Sequence, residues 1–204
     1  MGTEVLIVDP SRPDPAALER AADRLRAGGL VAFPTESFYG LGAAALDAHA
    51  TNRIFAVKGR PESKPLLVLV DSVTMAEALA VVAARARALM ERYWPGPLTL
   101  VLPARHSVPD AVTAGTGTVG VRMSSHPTAR GLVRALGAPV TAPSANPAGA
   151  APPTTAADVL RYFPDALACV LDGGATAGGP PSTVLDVTAD PPRLLRQGAV
   201  TVDL

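Results

Sequence analysis

The chain has 204 residues, of which 48% are hydrophobic and only 4% aromatic, and its 18 basic and 18 acidic side chains give a formal net charge of zero. This length fits one domain, predicted over residues 1–204. The neutral charge disfavours nucleic-acid binding through overall charge, although a local basic site stays open. The single cysteine excludes an intramolecular disulfide, and we find neither a secretory signal nor a membrane-spanning run, so a cytoplasmic protein is expected.

In chain order, short apolar runs alternate with segments of helical spacing. The predicted strands cover 5–8, 30–33, 66–70, 98–102, 119–123, 140–142, 168–171, 183–187 and 193–195. The predicted helices cover 17–27, 48–57, 75–82, 84–93 and 127–136, with a last one ending near 162. Their expected N-terminal caps include Asp14, a Thr74–Glu77 capping box, Ser125, and Thr154 or Thr155. This alternation predicts an α/β fold, a twisted mixed sheet with helices on its faces.

Several common catalytic and cofactor motifs are absent from the sequence. GTGTVG at 115–120 leads into a strand instead of opening a helix, which argues against a dinucleotide site. There is no phosphate-binding P-loop, no GxSxG, no HExxH and no paired CxxC. His49, His106 and His126 are scattered and are expected at the surface, and Cys169 is expected in the core. No metal site held by protein ligands and no catalytic triad is therefore predicted.

Four segments place polar residues beside apolar strands, where open α/β sheets gather ligands. They are FPTESFYGLG at 33–42, KGRPESKP at 58–65, VGVRM at 119–123 and TAPSANPAG at 141–149. The second contains Lys58 and Lys64, the two lysines of the chain. Ordinary explanations exist, namely a turn of small residues at 33–42, a solvated helix end at Lys58 and an Asx turn near Asn146. Arg122 interrupts an apolar strand, a position where arginine usually pairs with an anion.

Two further segments near the end of the chain could close the same cleft. GGPPSTVLDV, at 178–187, carries Ser182 into a strand, and LLRQGAV, at 194–200, places Arg196 at the end of another strand. Each could equally be an ordinary loop. A compact ammonium at Lys58 would suit a phosphate site, although the scarcity of lysine also fits chance in an arginine-rich composition.

Together these segments resemble the YrdC family of L-threonylcarbamoyladenylate synthases, in its single-domain form. The match runs in order over residues 30–198 and rests on PTESFYGLG, KGRP with KPL, YWPGPLTLVL, VGVR, APSAN, PSTVLD and LLRQG. The resemblance implies the YrdC-like fold, with a large central cavity.

The resemblance also implies a reaction. L-threonine, bicarbonate or CO2, and ATP would give L-threonylcarbamoyladenylate and pyrophosphate, the first step of N6-threonylcarbamoyladenosine formation at position 37 of transfer RNAs. Mg²⁺ would accompany ATP, and no tightly bound prosthetic group is expected. The adenylate would pass to a tRNA threonylcarbamoyl transferase complex, and direct contact with RNA stays open. Such a displacement needs positioning and cationic stabilisation more than a protein nucleophile.

Residue roles follow from the resemblance alone. Thr35, Arg122 and Ser182 would hold threonine, with Arg122 matched to its carboxylate. ATP would be bound by a second set, namely Lys58, Arg60, Thr118, Ser144, Asn146 and Arg196, of which Lys58 and Arg60 would be catalytic. Lys58 is expected in a solvent-lined site. Ser37 and Phe38 depart from the family pattern at the predicted threonine pocket.

Two other functions remain open from the sequence. One is a carbamoyl-adenylate-forming enzyme that acts on another carbamate, although such domains normally sit in large chains with zinc-finger cysteines. The other is a non-catalytic RNA-binding member of the family, against which the neutral charge argues mildly.

Overall fold

A computed structural model describes residues 2–59, 61 and 63–203; Arg60, one of the predicted phosphate ligands, lies outside the described residues. The strands are β1 (Glu4–Ile7), β2 (Val31–Pro34), β3 (Tyr39–Gly42), β4 (Leu67–Leu69), β5 (Leu98–Pro103), β6 (Thr118–Arg122), β7 (Val140–Thr141), β8 (Cys169–Asp172), β9 (Thr183–Asp186) and β10 (Arg193–Arg196). The helices are α1 (Pro15–Arg26), α2 (Ala48–Lys58), α3 (Val73–Leu79), α4 (Ala84–Tyr93), α5 (Asp110–Thr113), α6 (Pro127–Leu136) and α7 (Ala156–Tyr162).

The predicted mixed α/β fold is confirmed, and the strands divide between two sheets. The smaller sheet has the order β1-β8-β2-β3, and the larger has the order β10-β9-β5-β6-β4-β7. In the smaller sheet, β8 pairs in parallel with both β1 and β2. In the larger sheet, β5 pairs in parallel with β9 and antiparallel with β6. Both sheets are therefore mixed.

Strand β3 replaces part of the turn that the sequence predicts at 33–42. It runs back antiparallel to β2, with Val31 opposite Gly42 and Pro34 opposite Tyr39. A Cβ at Gly42 would lie 2.8 Å from the ring of Phe33, so only glycine lets the backbone pass so close to that ring. The glycines that suggested a turn instead permit a tightly packed strand.

The two sheets meet where β3 approaches β7 and the segment that follows it. Isolated antiparallel bridges join Gly40 to Ser144 and Ala44 to Val140. The buried Thr141 hydroxyl donates to the Leu41 carbonyl at 3.1 Å and accepts from the Ala43 amide at 2.9 Å. These bonds fix residues 141–144 against β3, at the seam between the sheets.

Apolar side chains form two packed clusters. Helices α1 and α6 pack on the smaller sheet, where Leu25, Leu132 and Cys169 are fully buried together. The predicted core position of Cys169 is confirmed. The larger cluster includes Tyr39 and Leu100 and involves both sheets. Because aromatic residues are few, these cores are built mainly from aliphatic side chains.

Two predicted helix caps are wrong by one or two residues. Helix α3 is capped by Ser72, whose hydroxyl accepts from the Met75 amide, so the Thr74–Glu77 box lies inside the helix. Helix α6 is capped by His126, which precedes the Pro at its first position, instead of by Ser125. Each true cap is the polar residue whose side chain reaches an unpaired amide of the first turn.

Other caps agree with the sequence. The Asp14 carboxylate accepts from the Ala16 amide, and Thr155 caps α7. His49 and His106 are exposed as predicted, whereas His126 is half-buried at its cap. Within the described parts of the chain, no helix combines the length and apolar character needed to cross a membrane.

Candidate active site

A cavity of about 500 Å³ opens between the two sheets. Its walls come from the β2–β3 turn, the strands β5, β6 and β9, the segment after β7 and the end of β10. Six of the predicted site residues line it, namely Thr35, Thr118, Arg122, Ser144, Ser182 and Arg196. These residues are dispersed along the chain, and the sheet order brings them together.

Arg122, at the end of β6, is a buried cation in the cavity wall with only 4% of its surface exposed. Its Nη1 lies 3.4 Å from a carboxylate oxygen of Glu36, and its Nε is buried without a hydrogen-bond partner among the described residues. Burial lowers the pKa of Arg122, and the Glu36 charge opposes that shift. A guanidinium with unused donors beside a cavity is suited to bind a carboxylate.

Ser182 and Arg196 form a second polar part of the wall. The Arg196 guanidinium donates from Nε and Nη2 to the Ser182 carbonyl at 3.0 and 2.8 Å, and Nη2 lies 3.1 Å from the Ser182 hydroxyl. That hydroxyl is also 2.9 Å from the Thr99 hydroxyl. Burial and then the charge of Arg122 lower the pKa of Arg196. The two guanidinium groups thus act on each other electrostatically, as expected of a site prepared for anions.

Thr35 begins the turn between β2 and β3. Its hydroxyl donates to the Phe38 carbonyl at 2.6 Å, and its amide donates to the same oxygen at 3.1 Å. Ser37 and Phe38, the departures from the family pattern, also line the cavity. The turn therefore contributes Ser37 and the aromatic residue Phe38 to the cavity that Arg122 also lines.

The loop that carries Ser144 and Asn146 is held on two sides. The Ala145 amide donates to the Tyr39 carbonyl at 2.8 Å, and the Ala148 amide donates to the Lys58 carbonyl at 2.7 Å. The Asn146 side-chain amide donates to two loop carbonyls, while its Oδ1 is buried without a partner in the described part of the chain. These bonds and the flanking prolines constrain the loop without any ligand contact.

Lys58 differs from the solvent-lined position that the sequence predicts. It is 4% exposed, and its ammonium donates to the main-chain carbonyls of Ser144 and Asn146. Lys58 and Asn146 lie behind Ser144 and not among the residues that line the cavity. The burial has a physical reason, since an ammonium at a helix end can donate to loop carbonyls, here the buried carbonyl of Asn146 and the part-buried carbonyl of Ser144.

Three residues that contact the predicted site were given no role from the sequence. Glu36 pairs with Arg122, Ser124 donates to the other oxygen of Glu36, and Thr99 meets Ser182. Thr99 could have been identified from the sequence, because it is a polar residue within an otherwise apolar strand. Nothing local identifies the Glu36 pair, because its members are 86 residues apart.

The described residues contain no group of three or more His, Cys, Asp or Glu side chains that could hold a metal ion. The polar groups on the cavity wall are mainly hydroxyls and guanidinium groups. An arrangement of this kind binds and orients anions such as carboxylates and phosphates, and it contains the donors needed to stabilise developing negative charge.

Comparison with known proteins identifies the family. The model of the Sua5/YciO/YrdC domain, whose description is "Telomere recombination", matches residues 23–198. The chain belongs to the Sua5/YciO/YrdC family. The segments that suggested this resemblance all fall within or at the edges of the matched range, so the predicted membership is confirmed.

Relatives and solved structures of the family agree with this fold. Threonylcarbamoyl-AMP synthase of Pyrococcus abyssi is 47% identical over 184 residues, which cover 90% of this chain and 54% of that protein. A crystal structure of Pyrococcus abyssi Sua5 complexed with L-threonine matches with a TM-score of 0.93 and 46% identity, covering 96% of this chain and 58% of that one. Escherichia coli YciO matches with a TM-score of 0.88 and 26% identity, covering 96% of both chains. The chain thus spans little more than half the length of the Pyrococcus proteins.

Proposed function

We propose that this chain is a threonylcarbamoyl-AMP synthase, a nucleotidyltransferase. The threonine amine takes up CO2 as a carbamate, and a carbamate oxygen then attacks the α-phosphorus of ATP. The bond from that phosphorus to the bridging oxygen of the β-phosphate breaks, and pyrophosphate leaves. The observation that carries the proposal is the buried Arg122 guanidinium, with unpaired Nε, in a cavity shared with Ser182 and the Ser144 loop. Similarity to synthases and to a threonine-bound Sua5 supports it.

At the amino-acid end, Arg122 binds the carboxylate of threonine. A guanidinium is the side chain best suited to this role, because its donors match a planar carboxylate. The Thr35 and Ser182 hydroxyls lie on the same cavity wall and orient the rest of the substrate. This assigns the threonine site to Thr35, Arg122 and Ser182.

At the nucleotide end, Thr118, Ser144 and Arg196 contact ATP from the cavity wall. Lys58 supports the Ser144–Asn146 loop from behind, and the Oδ1 of Asn146, which is buried without a partner among the described residues, is the acceptor that Asn146 would offer to ATP. Lys58 and Arg60 act as the catalytic cations on the triphosphate. For Lys58 this requires its ammonium to exchange a loop carbonyl for a phosphate oxygen.

Mg²⁺ enters as part of the nucleotide. Magnesium at nucleotide sites usually takes substrate phosphate oxygens and several waters as ligands, with only one or two protein carboxylates, so it would arrive bound to ATP. Its role is to neutralise charge on the phosphates as pyrophosphate departs. No prosthetic group is required.

A cavity between two sheets suits an unstable intermediate. N-carboxythreonine decomposes in water, and a site that excludes bulk solvent protects it until it reacts. Because positioning and electrostatic stabilisation supply the rate, a protein nucleophile is not needed. The product would pass in the cytoplasm to a tRNA threonylcarbamoyl transferase complex, as the first step of N6-threonylcarbamoyladenosine formation at position 37.

The test is release of pyrophosphate from ATP by the purified chain with Mg²⁺, bicarbonate and L-threonine. We expect release to depend on both threonine and bicarbonate, and mass spectrometry to identify the adenylate. Arg122→Lys keeps the charge but loses the planar donors, so its activity is expected to fall about 10²-fold. Arg85→Ala, which removes an exposed partner of Asp190, is the matched control and should stay active.

Two outcomes would favour the other functions. Equal pyrophosphate release without threonine would contradict the threonine assignment and favour a related enzyme that acts on a different substrate. Salt-sensitive RNA binding with no nucleotide turnover would indicate a non-catalytic RNA-binding protein.

A further inference from the structure

Glu36 lies behind the cavity wall and not on it. Its neighbours Thr35 and Ser37 line the cavity, whereas the Glu36 side chain, 18% exposed, points toward Arg122 and Ser124. Glu36 lies in the bend between β2 and β3, where the chain reverses and directs this side chain away from those of Thr35 and Ser37. A carboxylate is thereby placed where it meets the buried arginine without occupying the space of a ligand.

The Glu36 carboxylate is the acidic partner of Arg122 within the described residues. One oxygen lies 3.4 Å from Arg122 Nη1, and no other described carboxylate forms an ion pair with this guanidinium. A cation that is 4% exposed needs such a partner, because an unpaired buried charge is strongly unfavourable. Nearby Arg196 adds a like charge, which increases that need.

The second oxygen of Glu36 is fixed by Ser124. The Ser124 hydroxyl, in a residue that is 1% exposed, donates to Glu36 Oε2 and accepts from the His126 amide at 3.2 Å. Ser124 follows β6, the strand that ends in Arg122 itself. The Glu36 carboxylate therefore contacts Arg122 through one oxygen and Ser124 through the other. Because both partners lie in the same short segment, they fix the orientation of the carboxylate.

We propose that Glu36 is a positioning residue for substrate recognition. It binds the Nη1 side of Arg122 and so leaves the other donors of the guanidinium directed to the carboxylate of an amino-acid substrate. This inference rests on the proposed function, since it assumes that Arg122 receives such a carboxylate. Glu36 itself touches no substrate and acts only through Arg122.

A positioning role predicts that threonine affinity falls more in Glu36→Ala than in Glu36→Gln. In Glu36→Gln the amide oxygen can still accept from Arg122, and Ser124 can still bind the other end, so near-normal threonine affinity is expected. In Glu36→Ala the Arg122 guanidinium loses the carboxylate that orients it. The KM for threonine should rise about 10²-fold, which is the effect expected when a binding group is displaced by about 1 Å. The KM for ATP should change less than threefold or so, because the nucleotide groups are held elsewhere.

The experiment measures KM for threonine and for ATP separately in wild type, Glu36→Gln, Glu36→Ala and Ser124→Ala, with thermal unfolding of each. Ser124→Ala should shift the threonine KM in the same direction but less. Glu77→Ala, which removes the exposed partner of Arg87, is the matched control and should change neither KM. If Glu36→Ala loses too much stability, the Gln and Ser124→Ala variants still carry the test.

The outcomes separate this inference from the proposed function. A wild type without threonine-dependent pyrophosphate release would overturn the proposed function. An active wild type whose Glu36→Ala variant binds threonine normally would overturn the positioning role alone. A Glu36→Gln variant whose KM for threonine rises as much as that of Glu36→Ala would also overturn it, because the orientation that the Gln side chain preserves would then not be what threonine recognition requires.

Discussion

The Lys58 ammonium donates to the main-chain carbonyl of Asn146 at 2.5 Å, across a separation of 88 residues. In the other direction, the Ala148 amide donates to the Lys58 carbonyl at 2.7 Å. The end of α2 and the Ser144–Asn146 loop are thus joined into one unit. The lysine that is proposed to meet phosphate also holds the loop that is proposed to meet the nucleotide.

This relationship predicts two losses in Lys58→Ala. The buried Asn146 carbonyl would lose its Lys58 donor, and the Ser144 carbonyl would keep only the Asn146 amide, which costs about 1–3 kcal/mol and lowers the melting temperature by roughly 2–4 °C for each kcal/mol. Pyrophosphate release should fall about 10²-fold or more, since a charge on the triphosphate is removed as well. Thermal unfolding and initial-rate assays measure the two effects. Lys64→Ala, which removes an exposed lysine, is the control. Full activity of Lys58→Ala would contradict the assignment of Lys58 to the triphosphate.

The close packing around Gly198 predicts a steric effect on the proposed threonine site. A Cβ at this position would lie 2.2 Å from the Pro181 carbonyl oxygen and 2.5 Å from main-chain atoms of Ser182 and Thr183. Gly198→Ala must displace the backbone that carries Ser182, so we expect destabilisation of about 1–3 kcal/mol and weaker threonine binding. Denaturant unfolding and calorimetry measure these. Gly2→Ala, with no atom within 4 Å, should change neither; unchanged threonine affinity in Gly198→Ala would show that the displacement does not reach Ser182.

His126 predicts a pH dependence of stability. Burial lowers its pKa below the usual 6.5, an effect that the charge of Glu36 opposes, and its Nδ1 accepts from the Thr128 amide. Because the folded state favours neutral imidazole, this stabilisation is complete above pH ~6.5 and is lost as the pH falls from there toward the lower folded-state pKa. The Asn in His126→Asn can also cap a helix, so the variant should lose less stability than the wild type on acidification. Melting temperatures across this range test the prediction, and parallel curves would contradict it.

The burial of Cys169 predicts that its thiol is unreactive in the folded protein. Burial raises the pKa of its thiol to about 12, and the residue has no exposed surface. Since the thiolate is the reactive species, the native chain should not react with an alkylating reagent at pH ~8, whereas the unfolded chain, with a thiol pKa near 8.5, should react readily. Mass spectrometry of the alkylated protein with and without denaturant is the measurement. Rapid modification under native conditions would mean that β8 opens locally.

The sequence predicts most elements because their signals are local. Helix α2 shows helical spacing, and β5 shows a short apolar run ended by proline, so both are found where expected. Strand β3 is missed because its glycines resemble a turn, and only contact with Phe33 explains them. The caps of α3 and α6 shift because several polar residues compete near each start, and backbone geometry selects one.

The site was also predictable only in part. Polar residues beside apolar strands pointed to five of the side chains that line the cavity, since strand ends gather at a sheet edge, whereas Thr118 was assigned only from the family resemblance. The burial of Lys58 was not predicted, because its partners are backbone carbonyls of a distant loop and carry no sequence signature.

By itself, the sequence determined the order of the elements, the residue types available to the site and membership of the family. The tertiary structure decided that the strands form two sheets, that a cavity lies between them, and that Glu36 faces Arg122 rather than the ligand space. The physical reason is the distance along the chain over which each interaction acts. Periodicity and capping depend on neighbours within a few residues, whereas the ion pair between Glu36 and Arg122, which are 86 residues apart, depends on how the sheets pack.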